Sequence, residues 1–234
     1  MNLNGGTTVW GVMRRFIGFA GILALTACQA QVASTPSASS EHASPSASAA
    51  EGPMELTTTA DPLPPGTYTR SDFEPTITLE LDEGWRAVQL LSGFFDVEQE
   101  VGTPDVIAVQ FARPRRIWSA SITQAVAVTS AEAAAEALAN NDRLVIHDTS
   151  ESQLGGVSGT VVDVENAGNG HEHIMELAAG ELGIDAGRRL WVGFYDTDAG
   201  LLAVMIGGSV ERWQDALDAA EPVLESVRIG DGAE

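Results

Sequence analysis

Four histidines, two serines in glycine-rich company, a run of arginines and a single cysteine are the residues whose types and spacing could do chemistry in this chain. His171-Glu172-His173 is the most ligand-like group. On a strand, the period of two puts both imidazoles on one face, at a spacing that a metal ion can bridge. A zinc site asks for a third protein ligand, and none stands beside the pair; folding would have to bring in His147 and a carboxylate. Asn169-Gly170 marks a turn just before the pair, so the competing reading is an exposed polar strand start.

The serines fare worse. Ile206-Gly207-Gly208-Ser209-Val210-Glu211 sets a serine between strand and helix, as in a nucleophile elbow. Glu211 occupies the place of the closing glycine, however, and no histidine follows to act as base. Ser209 therefore reads as a helix cap. Gly156-Val157-Ser158-Gly159-Thr160 fails in the same way, with Thr160 where the glycine belongs, and reads as a turn entering a strand. Arg113-Pro114-Arg115-Arg116, beside Trp118, is a basic spot in an acidic chain. Its guanidinium groups could grip the phosphate or carboxylate of a cell-wall polymer while the indole stacks on a sugar ring. The alternative is internal pairing with the abundant acids. Phe94, Phe95, Trp191, Phe194, Tyr195 and Trp213 read as core.

The elements that hold these residues belong to a chain of 234 residues with 33 acidic and 12 basic side chains, a formal charge of -21, and no lysine. So acidic a chain is repelled by nucleic-acid phosphates and anionic head groups, which excludes both as default partners. The charge reads as a solvated surface that keeps the domain soluble and monomeric; adaptation to high salt or a basic partner are the sharper readings, and the missing lysine also fits a GC-rich genome. No cofactor-binding pattern is present, and no cofactor is expected.

Arg14 and Arg15 precede an apolar stretch from Phe16 to Leu25, and small residues follow, the order of a secretory signal peptide. The stretch is shorter than the ~20 apolar residues that span a bilayer. Met13, directly before the arginines, is an alternative start. Leu25-Thr26-Ala27-Cys28 resembles the lipobox of bacterial lipoproteins. That resemblance implies that the Cys28 thiol carries a diacylglycerol, that residues 1–27 are removed, and that Cys28 becomes the N-terminus. Loss of Arg14 and Arg15 would take the formal charge from -21 to -23. With its one thiol acylated the mature protein has no disulfide, so its fold must rest on core burial.

Residues 28–62 are dominated by Ser, Ala, Thr, Pro and Glu and cannot bury enough apolar surface to offset the entropy of ordering. They read as a disordered tether with an end-to-end distance of roughly 30 Å, and His42 within it has no role. Residues 63–230 form one domain, followed by a tail at 231–234. Thr76–Leu81 alternates with Ile77, Leu79 and Leu81 on one face, a half-buried strand. Arg86–Leu91, Phe94–Val97, Val106–Phe111, Leu144–Asp148, Val157–Val164, Ile174–Leu177, Arg189–Tyr195 and Leu201–Ile206 continue the series, with Gly155-Gly156 as a turn and Asp196–Gly200 as a hairpin loop. Ser130–Asn140 is a helix opened by a Thr129-to-Glu132 capping box. A second helix follows Ser209 with Trp213, Leu217, Ala220, Leu224 and Val227 at helical spacing, and Pro222 should kink or restart it.

The fold class is α+β, an antiparallel meander with helices packed on it. The order of elements, with Gly66-Thr67-Tyr68-Thr69, Ile77–Leu81, Gly84-Trp85 and Gly155–Thr160, resembles the PsbP-like α/β/α sandwich, also suggested for mycobacterial LpqN-type lipoproteins. The resemblance implies a non-enzymatic domain that binds or stabilises other molecules. The expectation is a lipoprotein at the extracytoplasmic face of the cell membrane, held by its lipid anchor and binding an envelope protein, a cell-wall polymer or a small ligand. The alternative is an envelope hydrolase or metal-dependent enzyme that uses the His171/His173 region.

Overall fold

The computed structural model describes residues 52–119 and 125–230. Cys28 and His42 lie outside the described residues. In chain order the elements are β1 (Met54–Glu55), β2 (Gly66–Arg70), β3 (Ile77–Leu81), β4 (Arg86–Leu91), β5 (Phe94–Gln99), β6 (Ile107–Ala112), β7 (Arg116–Trp118), β8 (Ala125–Ala127), α1 (Ala131–Ala139), β9 (Val145–Leu154), β10 (Val157–Glu165), β11 (Glu172–Leu177), β12 (Gly180–Ile184), β13 (Arg188–Thr197), β14 (Gly200–Ser209), a 3₁₀ turn (Val210–Arg212), α2 (Trp213–Ser226) and β15 (Arg228–Ile229). The fold is α+β, and every strand pairing but one, β1 on β2, is antiparallel.

The frame is a seven-stranded sheet in the order β4-β5-β6-β14-β13-β10-β9. Its two long hairpins are β13–β14, near the centre, and β9–β10, at one edge. From Leu190 to Tyr195 of β13 and along nearly all of β14 the residues are apolar or small, which suits strands covered on both faces. The β9–β10 turn is Gly155-Gly156, with φ of +54° and +81°, and a two-residue turn with both centres left-handed matches the right-handed twist of the strands it joins.

Alternation along β13 separates two interior layers. Trp191 and Tyr195 face the cluster formed with α2, β2 and β3, where Trp85, Phe95, Phe111, Leu202, Val204, Trp213 and Ala220 are buried together. Val192 and Phe194 point to the other face, where α1 lies against β10 and β13. A sheet of order β1-β2-β3-β15 shares the α2 side, and a sheet of order β12-β11-β7-β8 meets α1 through β7. The other eight strands form these two four-stranded sheets, in which only β15 on β3 and β11 on β7 join distant parts of the chain. Gly159 marks a close approach of β10 to β13: a Cβ there would stand 2.3 Å from the Phe194 carbonyl and 2.4 Å from the Tyr195 ring.

Several local expectations shift. Leu56 is 1% exposed and β1 pairs with β2, so folded structure reaches upstream of residue 63 into the stretch read as tether. Ser130, not Thr129, caps α1 and accepts from the Ala133 amide; the Ala131 amide goes instead to Asp196 Oδ1 at 2.9 Å, a partner no local rule could supply. Ser209 caps the 3₁₀ turn without a side-chain bond, and its hydroxyl is buried without a partner. Helix α2 runs through Pro222 to Ser226 without a break, since Ala220, Val223 and Val227 on either side of it are packed into the core. The expected five-residue loop after Tyr195 is a two-residue turn, with Thr197 paired to Gly200.

Candidate functional site

His171 and His173 are brought together. Asn166, fully buried, donates from its side chain to the carbonyls of Gly170 and Ile184 at 2.8 Å each and accepts from the Gly168 amide, which pins the loop entering β11. The two rings then stand edge to face, 5.2 Å between centroids, with His173 on β11 and His171 just before it. Each has its own carboxylate. His171 Nδ1 is 2.8 Å from Asp185 Oδ1, and His173 Nδ1 is 3.2 Å from Glu181 Oε2, close enough for charge attraction but not aligned for a hydrogen bond. Glu172, between them, turns away into a bidentate pair with Arg143 at 2.5 and 2.6 Å, which holds its carboxyl below the usual carboxylate range. His147 pairs with Glu165 at 2.8 Å, from β9 to β10. Among the described residues no three His, Cys, Asp or Glu side chains converge in a metal-binding group. The geometry is a row of separate imidazole–carboxylate pairs.

The arginine run is divided. Arg113 donates to the carbonyls of Glu74 and Ala199, tying two distant loops together. Arg113 and Arg115 line an open cleft of about 590 Å³ that also carries Asp72 and Glu74. Arg116 and Trp118 sit farther along, on β7. Arg116 reaches 3.6 Å toward Glu176, and the Trp118 ring leans on His173 at 5.7 Å with its Nε1 buried and unpartnered. The run's guanidinium groups and the indole are thus divided between two places.

A different surface gathers both apolar area and charge of one sign. Between α2 and the β9 end of the large sheet lies a cleft of about 400 Å³, floored by Leu154, Trp191, Ile206, Leu217 and Leu224 and rimmed by Asp218, Glu221 and Glu225. Helix α2 buries Trp213, Ala216, Ala220 and Val223 and leaves the half-buried Leu217 and Leu224 facing this opening. On the α1 side of the same strand ends a second cleft, of about 560 Å³, carries Glu132, Glu151 and Asp196. Ser152 and Gln153 of β9 border both. Among the described residues no arginine or histidine lines either. Beneath them the Tyr195 hydroxyl meets Ser152 Oγ at 2.7 Å, which satisfies a fully buried phenol whose pKa burial pushes up. Arg189, on the α2 face, is committed to Asp163 at 2.6 and 2.7 Å and lies over the Trp213 ring.

Sequence reasoning also missed Asp96 and Glu98, 0% and 4% exposed, on one face of β5 opposite Gln110 and Ala108 of β6 respectively. Burial, and then the neighbouring Glu98 charge, push the Asp96 carboxyl up to about 8, against two backbone amides that favour its ionised form. Burial raises Glu98 too, opposed by the charge of Arg188. The signal was present in Phe94-Phe95-Asp96-Val97-Glu98-Gln99, two acids at strand spacing inside an apolar run.

No family model matches this chain, and no curated protein matches it. Among solved structures, the solution structure of cyanobacterial PsbP from Synechocystis is similar at 11% identity over 74% of this chain and 97% of that one, with a TM-score of 0.41. The crystal structure of LpqN of Mycobacterium tuberculosis, described as involved in cell envelope biogenesis, is similar at 11% identity over 73% and 90%, with a TM-score of 0.35. A Bacteroides thetaiotaomicron protein is similar at 9% identity over 68% of this chain and 46% of its own, with a TM-score of 0.36.

Proposed function

We propose that this chain is a lipid-anchored extracytoplasmic binding protein without a reaction of its own, and that the cleft beneath α2 is where it binds. The cleft carries the reading: an apolar floor of Leu154, Trp191 and Leu224 open to solvent beside a rim of three carboxylates. Each apolar side chain of a ligand seated there gains about 1.5–3 kcal/mol, and the rim selects among apolar ligands by charge. The anchor is supported by Leu25–Cys28 and the two arginines before it. The tether that follows would hold the domain off the membrane, within reach of envelope proteins and polymers. A net charge of -21 disfavours nucleic acid and self-association, so the working form is a monomer.

Two measurements test this. A Cys28→Ala variant should lose the added lipid mass and leave the membrane fraction; an unchanged mass and fraction would refute the anchor. For the binding role, a Leu217→Glu, Leu224→Glu variant with unchanged circular dichroism should lose what the wild type captures from detergent-solubilised envelope. Identical captures would remove the cleft from the proposal.

A further inference from the structure

The two ends of the large sheet are treated differently. At the β4 edge the preceding chain lies alongside, with the Thr59 amide donating to the Ala87 carbonyl and the Leu63 amide to the Trp85 carbonyl. At the β9 edge nothing among the described residues does so: β9 pairs with β10 alone, and no other backbone bond reaches residues 145–154. The edge is long. Residues 147–151 are all exposed; the strand bulges at His147 and carries the acids Asp148 and Glu151, but from 149 to 154 no lysine, proline or bulge, three devices that protect a sheet edge, interrupts it. Leu154 and Val157 close a two-residue turn, which makes them a hydrogen-bonded pair; alternation then aims the amides and carbonyls of Thr149, Glu151 and Gln153 away from β10.

These outward groups run between the two acidic clefts. A strand laid along β9 would send alternate side chains toward Glu132 and Glu151 on one face and toward Leu217, Asp218 and Glu221 on the other. We propose that β9 is an open docking edge that takes up an extended, basic segment of a partner protein as an eighth strand, with its cationic side chains in the flanking clefts. The proposal rests on the binding role given above and names the partner's chemistry.

Charge decides among the occupants. A second copy would set acidic clefts of a chain with a formal charge of -21 against their like. The chain's own segment from Gln29 to Glu51 carries Glu41 and Glu51 and no arginine or lysine. Nearby bases do not neutralise the surface: Arg189 is paired with Asp163, and Arg228 lies 3.9 Å from Glu80. Backbone pairing supplies attachment with little dependence on sequence, and the clefts supply the preference for lysine and arginine.

The test uses the full lipidated protein in detergent and a dye-labelled, end-capped peptide of about ten residues alternating lysine and valine, followed by fluorescence anisotropy. Binding is expected to weaken as salt rises from about 0.05 to about 0.5 M, as exposed charge pairs do. The same peptide N-methylated at every amide keeps its side chains and charge and should bind at least about tenfold more weakly. A glutamate–valine peptide should not bind. The protein variant E151Q/D218N/E221Q, altered only at exposed positions, should bind the basic peptide about tenfold or more weakly. Equal binding of the N-methylated peptide would overturn strand addition while leaving a binding role for the cleft. Absence of basic-peptide binding, or indifference to the three carboxylates, would overturn the basic partner. A dimer in sedimentation that the peptide does not dissociate would assign the edge to a second copy instead.

Discussion

At the scale of single residues, the buried pair Asp96 and Glu98 has the clearest consequence. The Asp96 carboxyl, ordinarily near 3.8, is held at about 8 in the folded chain, so the folded state keeps a proton that the unfolded chain has released. Its contribution to stability is fully present below 3.8 and is lost as pH rises through about 8, the reverse of a salt-bridged carboxylate. Asp96→Asn should therefore flatten this part of the pH profile: between pH values of about 5 and about 8, the wild-type urea midpoint should fall further than that of the variant. Parallel slopes would show that the carboxyl is ionised throughout. Strand spacing already placed these two acids on one face. That the face is interior depends on what covers β5 and β6, and no local pattern records it. The nearness of the two histidines was legible from their spacing of two, and the rings stand 5.2 Å apart; their carboxylates, Asp185 and Glu181, come from β12 and the turn after it.

At the scale of elements, periodicity predicted what was long and missed what was short. Strands such as β10, β13 and β14 have enough alternating or continuous apolar residues to announce themselves. Strand β8 has three residues and β12 has two glycines in five, so both owe their extended form to β7 and β11 beside them. Helix α2 shows the converse. Proline in a helix interior costs about 3 kcal/mol relative to alanine, yet burial of Trp213, Ala216, Ala220 and Val223 against the sheet holds the helix through Pro222. Since Pro222 is itself exposed, Pro222→Ala should raise unfolding free energy in chemical denaturation by up to about 3 kcal/mol with the cleft unchanged. A loss of stability would mean that the proline shapes α2 in a way that alanine cannot.

At the scale of the whole molecule, an excess of 33 acids over 12 bases makes self-repulsion the dominant long-range term. Apart from the half-buried pairs Arg143–Glu172 and Arg189–Asp163, the ion pairs, such as Arg212 with Glu100 and Asp215, are largely exposed and contribute little. Screening should then win: the thermal midpoint is expected to rise as NaCl goes from about 0.01 to about 1 M, over which the Debye length shrinks from about 30 to about 3 Å. A midpoint that falls with salt would show that local pairs outweigh the net charge. By itself the sequence determined the α+β class, the inward faces of the long strands and the Gly155-Gly156 hairpin, all of which depend on residues close together in the chain. Only the tertiary structure decided that Arg113 would be spent on Ala199, that Asp96 and Glu98 would be sealed from water, and that the segment around Thr59 would cover β4 while β9 stayed open. Each of these is a contact between distant parts of the chain, whose partner is chosen by the packing of layers and by no spacing that a local pattern can carry.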